Sequence, residues 1–353
     1  MKKVLIFYSK TGGGHLRAAE AIAEQLKIIS PDTKITLVDG LEKNDFRVPL
    51  RPQTAFQVLS NQLLWYFNLN YILTNNFAGM IYFNNLIRLV FGTNIRNIIK
   101  RESPDLIIST HHFISPSTIG RYPKNIPFVV VVTDLGIPHH LWFDKKASLT
   151  ITPSQRTAAH AKRVIGEKNS DKVIILDYPL KGGFKTLSHK PHPTNTILVL
   201  GGGAGSAKIK KQVLELLNAL PDKKIIAVCG YNEQLKTVLE KLNNPKLKVF
   251  SFVHNMHELI SESDIVLTKA GPATIIESAI LKKPLIITDW VGMQERDNVE
   301  YVLQEKLGIY CPDIKKLPES VDKLYKDYDS YTKHNITYSD GALKIAQKIA
   351  TLL

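Results

Sequence analysis

The chain is poor in cysteine, short of acidic residues and without long apolar runs. Two cysteines, Cys229 and Cys311, in 353 residues exclude a disulfide framework and a multi-cysteine zinc site. The first apolar run after Lys2 and Lys3 ends at Tyr8, shorter than the roughly 7–15 residues of a signal-peptide core. Both features favour a cytoplasmic setting. No stretch reaches the ~18 uninterrupted apolar residues of a spanning helix, because Asn, Lys or Arg cuts even the most apolar regions. Acidic residues number 32 against 46 Lys and Arg, leaving a net charge of +14. That excess predicts an anionic partner, which is nucleic acid, an acidic lipid surface or a phosphorylated substrate; the plainer alternative is that Lys only solvates the surface. With 44% hydrophobic and 22% charged residues, wholesale disorder and collagen-like classes are excluded. The length suits about two domains, each with its own core.

Short Val/Ile-rich runs alternate with helical patterns. In the first half they lie at Val4–Tyr8, Ile35–Val38, Leu106–Ser109, Phe128–Thr133, Leu149–Thr152 and Val173–Leu176, and their near-continuous apolar character predicts buried parallel strands. Residues 181–193, rich in Gly, Pro and Lys, read as a linker. The alternation restarts with strands near Thr196–Leu200, Lys224–Cys229, Lys248–Phe252, Ile265–Thr268 and Leu285–Thr288. The expected fold class is therefore α/β, with two Rossmann-like, doubly wound domains, 1–180 and 194–340, facing a central cleft. A final helix at 341–353, apolar at Ala342, Ile345, Ile349 and Leu352, can pack on either domain.

One region breaks the alternation. Residues 51–101 contain no convincing strand and carry Phe56, Trp65, Phe67, Tyr71, Phe83 and other apolar residues on two helical stretches, interleaved with Arg51, Arg88, Arg96 and Lys100. Such helices can lie in a membrane interface, aromatic side down and cations toward lipid phosphates. An internally packed helical subdomain and base stacking on nucleic acid are the alternatives.

Several segments carry chemistry. Thr11-Gly-Gly-Gly-His15 sits between the first strand and the first helix, where glycines admit close approach and a helix N-terminus favours an anion. It lacks the Gly-Lys-Ser/Thr ending of a P-loop. His15 in that position suits a general base, or simply a phosphate contact or a cap of the turn. Gly201-Gly-Gly-Ala-Gly-Ser206 opens the second half in the same position, and alone supports only phosphate binding. Thr268-Lys-Ala-Gly-Pro-Ala-Thr-Ile-Ile-Glu277 turns on Gly271-Pro272 and predicts a helix from Thr274. This places Glu277 in the first turn, able to accept from a ribose diol or merely to compensate the dipole. Gly292-Met-Gln-Glu-Arg-Asp-Asn298 reads as a short loop packed with amides and carboxylates, groups that read sugar hydroxyls.

Together these segments, with Arg17-Ala-Ala and Val132-Thr-Asp-Leu135, resemble glycosyltransferase family 28. Within it they are closest to the monogalactosyl- and glucosyl-diacylglycerol synthases of GT-B architecture. The resemblance covers almost the entire chain. It implies that Glu277 binds the uridine ribose, that Gly202 and Gly203 approach the diphosphate, and that Val253 frames the uracil. It further implies that Gln294 and Glu295 contact the transferred hexose, with Gly271, Thr274 and Asn298 completing the donor signature. On the acceptor side it implies His15 as base, Asp134 orienting that base or the acceptor, and Gly13, Gly14 and His139 in contact with the acceptor.

The implied activity is inverting transfer of glucose or galactose from a UDP-sugar to diacylglycerol, with no cofactor. No convincing metal-binding Asp-x-Asp is present, since Asp327-Tyr-Asp329 falls in a Lys-rich stretch and reads as a solvated helix face. The expected partners are the UDP-sugar, diacylglycerol and an anionic membrane surface on the cytoplasmic side, and not nucleic acid. A polyprenyl-linked or soluble acceptor, a UDP-sugar epimerase and a nucleotide-sugar-binding regulator are the rival readings. Ala273 in place of a commoner Gly, and Asp144 where relatives often have His, depart from the family pattern.

Overall fold

A computed structural model describes residues 1–10, 13–42, 63–123, 125–182, 193–202, 208–336 and 340–353, and the backbone alone of Gln294. The chain divides into two compact units, one of residues 1–181, 292–297 and 339–353, the other of residues 182–291 and 298–338.

The first unit runs β1 (Lys3–Tyr8), α1 (Gly13–Ile29), β2 (Lys34–Asp39), α2 (Leu64–Thr74), α3 (Phe77–Glu102), β3 (Leu106–Ser109), α4 (Pro116–Ile119), β4 (Phe128–Val131), β5 (Leu149–Thr152), α5 (Gln155–Ile165) and β6 (Val173–Ile175). Its sheet has the order β2-β1-β3-β4-β5-β6, with every pair parallel. Strands β3, β4 and β5 are buried along their whole length, as parallel strands covered on both faces must be. The alternation of β1 shows the two faces. Val4 and Ile6 join Ile22 and Leu26 of α1 in one core, while Leu5 and Phe7 join Ile95, Ile98 and Ile99 of α3 in the other.

The second unit runs β7 (Thr196–Leu200), α6 (Lys208–Ala219), β8 (Lys224–Val228), α7 (Glu233–Glu240), β9 (Leu247–Phe250), α8 (Met256–Glu262), β10 (Ile265–Lys269), α9 (Pro272–Ile280), β11 (Leu285–Asp289), α10 (Gly292–Gln304, of which residues 292–297 belong to the first unit), β12 (Gly308–Tyr310), α11 (Leu317–Lys326) and α12 (Tyr328–Thr332). Its order is β12-β11-β10-β7-β8-β9, again all parallel. The last helix, α13 (Gly341–Ala350), puts Ile345, Ala346 and Ile349 into the β1/α1 core of the first unit.

Each strand order reverses once, between β1 and β3 in the first sheet and between β7 and β10 in the second. At such a point the loops leaving the carboxyl ends of the two strands diverge to opposite faces and leave room for a ligand. At these strand ends lie His15, in the first turn of α1, and residues 110–113 in one unit, and Gly202 and Lys269–Gly271 in the other.

Three local expectations are corrected. Helix α9 begins at Pro272, with Gly271 as N-cap, because proline at the first helical position needs no amide partner and has its φ already set. Glu277 is thus the sixth helical residue, beyond the first turn. The 292–298 segment is the start of α10 rather than a loop. Strand β12 has only three residues, too short to give an apolar run that periodicity can detect.

Candidate active site

In the first unit His15 is the third residue of α1 and is buried. Its Nδ1 lies 2.8 Å from the Thr110 carbonyl oxygen and 2.9 Å from the Thr133 hydroxyl. The Thr110 hydroxyl returns a bond of 2.9 Å to the His15 carbonyl. A carbonyl can only accept, so Nδ1 carries the proton and Nε2 keeps its lone pair. Burial pushes the pKa of His15 down to about 4, so the ring is neutral near pH 7. A neutral imidazole held through Nδ1, with Nε2 basic, is what a general base requires. Among the described residues a Cβ added at Gly13 would meet nothing within 4 Å, and one at Gly14 only the Tyr178 hydroxyl at 3.7 Å. Among the described residues, the side chains missing at these positions leave open space at the start of α1.

The Thr110 carbonyl and the Thr133 hydroxyl hold Nδ1 of His15, while the expectation for Asp134 is to orient either that base or the acceptor. Asp134, also buried, accepts from the indole Nε1–H of Trp142 at 2.7 Å. The Trp142 ring lies 6.0 Å from that of His15, so the carboxylate fixes a wall of the site. Sequence reasoning passed over His111 and His112, which leave the end of β3. The His111 ring is 4.6 Å from His15, edge-on, and stacks on His112 at 4.5 Å. The signal was present: a His-His pair directly after an apolar run occupies the same strand-end position as His15.

His139 belongs to the support of this site. Its Nδ1 accepts from the Leu141 amide at 3.1 Å, so its proton resides on Nε2, which lies 3.2 Å from the Thr74 hydroxyl. Burial pushes its pKa down to about 3. With both ring nitrogens engaged within the protein, His139 fastens the end of α2 to the 139–142 turn. The neighbouring His140 adds a second fastening, its amide donating to Asn75 Oδ1 at 3.0 Å.

The residues expected to meet a membrane divide by face. Trp65 is 68% exposed, Tyr82 64% and Leu89 80%. Of the 19 exposed large hydrophobic residues among the described positions, 13 lie between Leu63 and Val90, so α2 and the first half of α3 present an apolar surface. Arg88 and Lys100 are exposed. Phe67, Tyr71 and Phe83 instead face inward. Phe67 covers Gly292, where an added Cβ would come within 2.2 Å of its ring, Tyr71 packs edge-on against His139 at 4.9 Å, and Phe83 stacks on Phe113. Arg96 is half-buried and donates from Nη1 to the Ile119 carbonyl at 2.6 Å, which makes it partly structural. Arg51 and Phe56 lie outside the described residues. No described helix is long and apolar enough to cross a membrane.

In the second unit Gly202 follows β7 with φ +79°, a conformation that suits glycine. A Cβ there would come within 2.9 Å of the Lys269 Cε, and one at Gly271 would lie 4.0 Å from the same atom. Lys269, at the end of β10, therefore reaches over Gly202. It is a cation beside an expected phosphate loop, and one the sequence reading did not single out. Gly203 lies outside the described residues. Lys208, first in α6, pairs with Asp289 Oδ2 at 2.7 Å, and Gln212 Nε2 donates to the Thr288 hydroxyl at 3.0 Å, tying α6 to the end of β11.

Glu277 is buried on α9, and Thr274, half-buried, is its third residue. Asn298 is buried on α10, and its Nδ2 donates to the Ala270 carbonyl at 2.9 Å, fixing the turn before α9. Val253 is half-buried in the segment between β9 and α8, and Glu295 lies in the first turn of α10. The structure thus gathers Gly202, Gly271, Thr274 and Lys269 around the β7/β10 switch point. The side chain of Gln294 lies outside the described residues.

Comparison with known proteins shows what the chain resembles. Residues 196–353 match the family model described as glycosyltransferase family 28 C-terminal domain, and residues 15–175 match that described as monogalactosyldiacylglycerol (MGDG) synthase. The chain is 28% identical to monogalactosyldiacylglycerol synthase 3, chloroplastic, of Arabidopsis thaliana over 98% of this chain and 78% of that protein. It is 27% identical, with the same coverage, to probable monogalactosyldiacylglycerol synthase 2, chloroplastic, of Oryza sativa subsp. indica. Among solved structures it is similar to MurG of Acinetobacter baumannii, with a TM-score of 0.62 at 14% identity, covering 99% of this chain and 100% of that one. The last likeness shows the GT-B fold.

Proposed function

The chain belongs to glycosyltransferase family 28, and from that premise we propose that it is an inverting enzyme moving glucose or galactose from a UDP-sugar to the free hydroxyl of diacylglycerol. The observation that carries the proposal is the setting of His15, a buried neutral imidazole with its proton committed to the Thr110 carbonyl. Nε2 of His15 takes the acceptor proton. The acceptor oxygen attacks the anomeric carbon, the bond to UDP breaks with its electron pair going to the diphosphate, and a β-glycoside results.

The glycine turn at Gly202 and the Lys269 ammonium favour the developing negative charge on UDP. In this reading Glu277 takes the ribose, Val253 frames the uracil, and Gln294, Glu295 and Asn298 complete the donor site. Transfer proceeds without a metal or other cofactor.

The names of the relatives and the exposed apolar surface of α2 and α3 support a lipid acceptor over a soluble one, and over sugar-nucleotide epimerisation. We further infer that the protein works as a peripheral enzyme on the cytoplasmic face of the cell membrane. Trp65 and its exposed neighbours enter the interface, while Arg88 and Lys100 meet anionic headgroups. The test is incubation with labelled UDP-glucose or UDP-galactose and diacylglycerol, ceramide or polyprenyl phosphate, followed by lipid extraction. Label in hexosyl-diacylglycerol is expected; label confined to the aqueous phase, or to another acceptor, overturns the reading.

A further inference from the structure

Four imidazoles stand at or beside the β1/β3 switch point, and the main chain sets the proton position in three of them. His15 Nδ1 faces the Thr110 carbonyl, His111 Nδ1 accepts from the Phe113 amide at 3.2 Å, and His139 Nδ1 accepts from the Leu141 amide. His112 differs. Among the described residues neither of its ring nitrogens has a hydrogen-bond partner, and of the two only Nδ1 is also sealed from solvent. Its ring is fixed by packing instead: stacked on His111, edge-on to Phe113 at 4.2 Å, and 5.5 Å from Trp142. The residue as a whole is half-buried, so the Nε2 edge is its open side. That ring lies 6.5 Å from His15, centroid to centroid.

A sealed polar atom without a partner calls for an explanation. A sealed N–H is rarer in folded proteins than an under-satisfied acceptor, so the proton belongs on Nε2 and the lone pair on Nδ1. Burial and the neighbouring His15 and His139 keep the ring neutral. The outcome is a rigidly packed donor, Nε2–H, on the open side of a ring beside the base, with no acceptor among the described residues.

We propose that His112 is a further acceptor-binding residue, whose Nε2–H donates to an ester carbonyl of the diacylglycerol next to the hydroxyl that His15 deprotonates. The inference rests on the lipid-acceptor reading above and adds to it a specific contact. Diacylglycerol carries ester carbonyl oxygens close to its free hydroxyl, so one molecule can meet both imidazoles. A dialkylglycerol of the same chain length has the hydroxyl and the tails but ether oxygens in place of the carbonyls. Glutamine at this position retains an N–H donor of similar reach, whereas phenylalanine keeps the ring packing and removes the donor.

The experiment compares wild type, His112→Gln and His112→Phe on diacylglycerol and dialkylglycerol in the same mixed micelles, with UDP affinity and thermal melting as controls. Loss of one neutral hydrogen bond corresponds to roughly 5–10-fold in KM. Wild type is expected to show a KM about that much lower for the ester lipid. His112→Phe is expected to lose the preference by raising KM for the ester lipid alone, with UDP affinity unchanged, and His112→Gln to restore most of it. Equal KM values for the two lipids in wild type, a measurement that needs no variant, overturn the proposal. So does a preference that survives in His112→Phe. Failure of wild type to glycosylate either lipid overturns the lipid-acceptor reading, and this inference with it.

Discussion

The indole Nε1–H of Trp142 donates to Oδ2 of Asp134 at 2.7 Å, and both residues are buried. The carboxylate nearest in sequence to Thr133 therefore fixes the aromatic wall beside His15, while Thr133 itself and the Thr110 carbonyl fix the base. Removing the indole donor takes a hydrogen bond from a buried carboxylate, a change of about 1–3 kcal/mol. Trp142→Phe is expected to lower the melting temperature and to cut kcat about 10-fold with UDP affinity unchanged. Asp134→Asn, which keeps an acceptor oxygen, is expected to lose less activity than Asp134→Ala. Steady-state kinetics on the three variants check the ordering.

Stability should depend on pH through the buried histidines. The folded-state pKa values of His15 and His139, about 4 and 3, lie below the roughly 6.5 of an unfolded histidine. Between those values the unfolded chain binds more protons, so stability is complete above pH 6.5 and declines as pH falls. Each of the two is expected to remove roughly 2 kcal/mol between pH 7 and pH 5. Melting temperatures across that range check the trend, and the double variant His15→Gln/His139→Gln should show a shallower decline.

Membrane association should follow the exposed residues of α2 and α3. Trp65→Ser with Leu89→Ser alters side chains that are 68% and 80% exposed, so folding stability should stay within about 0.5 kcal/mol of wild type. Sedimentation with vesicles containing anionic lipid should fall several-fold. Arg88→Gln and Lys100→Gln should weaken the salt-sensitive part of binding. Arg96→Gln should in addition lower the melting temperature, because it removes the bond to the Ile119 carbonyl.

Donor binding should respond to two residues of the second unit. Lys269→Ala removes the cation that lies over Gly202, and Glu277→Ala removes a buried carboxylate from α9. Calorimetry with UDP should show weaker binding by 10-fold or more in each. With uridine, which lacks the diphosphate, only Glu277→Ala should differ from wild type.

The two sheets were legible because parallel strands buried on both faces leave continuous Val/Ile runs, as at Phe128–Val131 and Thr196–Leu200. Gly202 was legible because a tight turn at a strand end favours glycine, and its φ is positive. What escaped was set by contacts distant in sequence. No spacing rule connects His15 with Thr110 and Thr133, residues on two other strand ends, nor Lys269 with Gly202. The inward turn of Tyr71 and Phe83 was hidden for another reason: an aromatic-rich helix reads alike whichever face is covered, and only its neighbours His139 and Phe113 decide.

The central claim is that Nε2 of His15 removes the acceptor proton. The most direct measurement is single-turnover transfer by His15→Ala set beside its affinity for UDP. A positioned base contributes about 10²–10⁴-fold, so transfer should fall by that factor while UDP affinity and melting stay near wild type. Transfer by His15→Ala at close to the wild-type rate, with donor bound normally, would contradict the account.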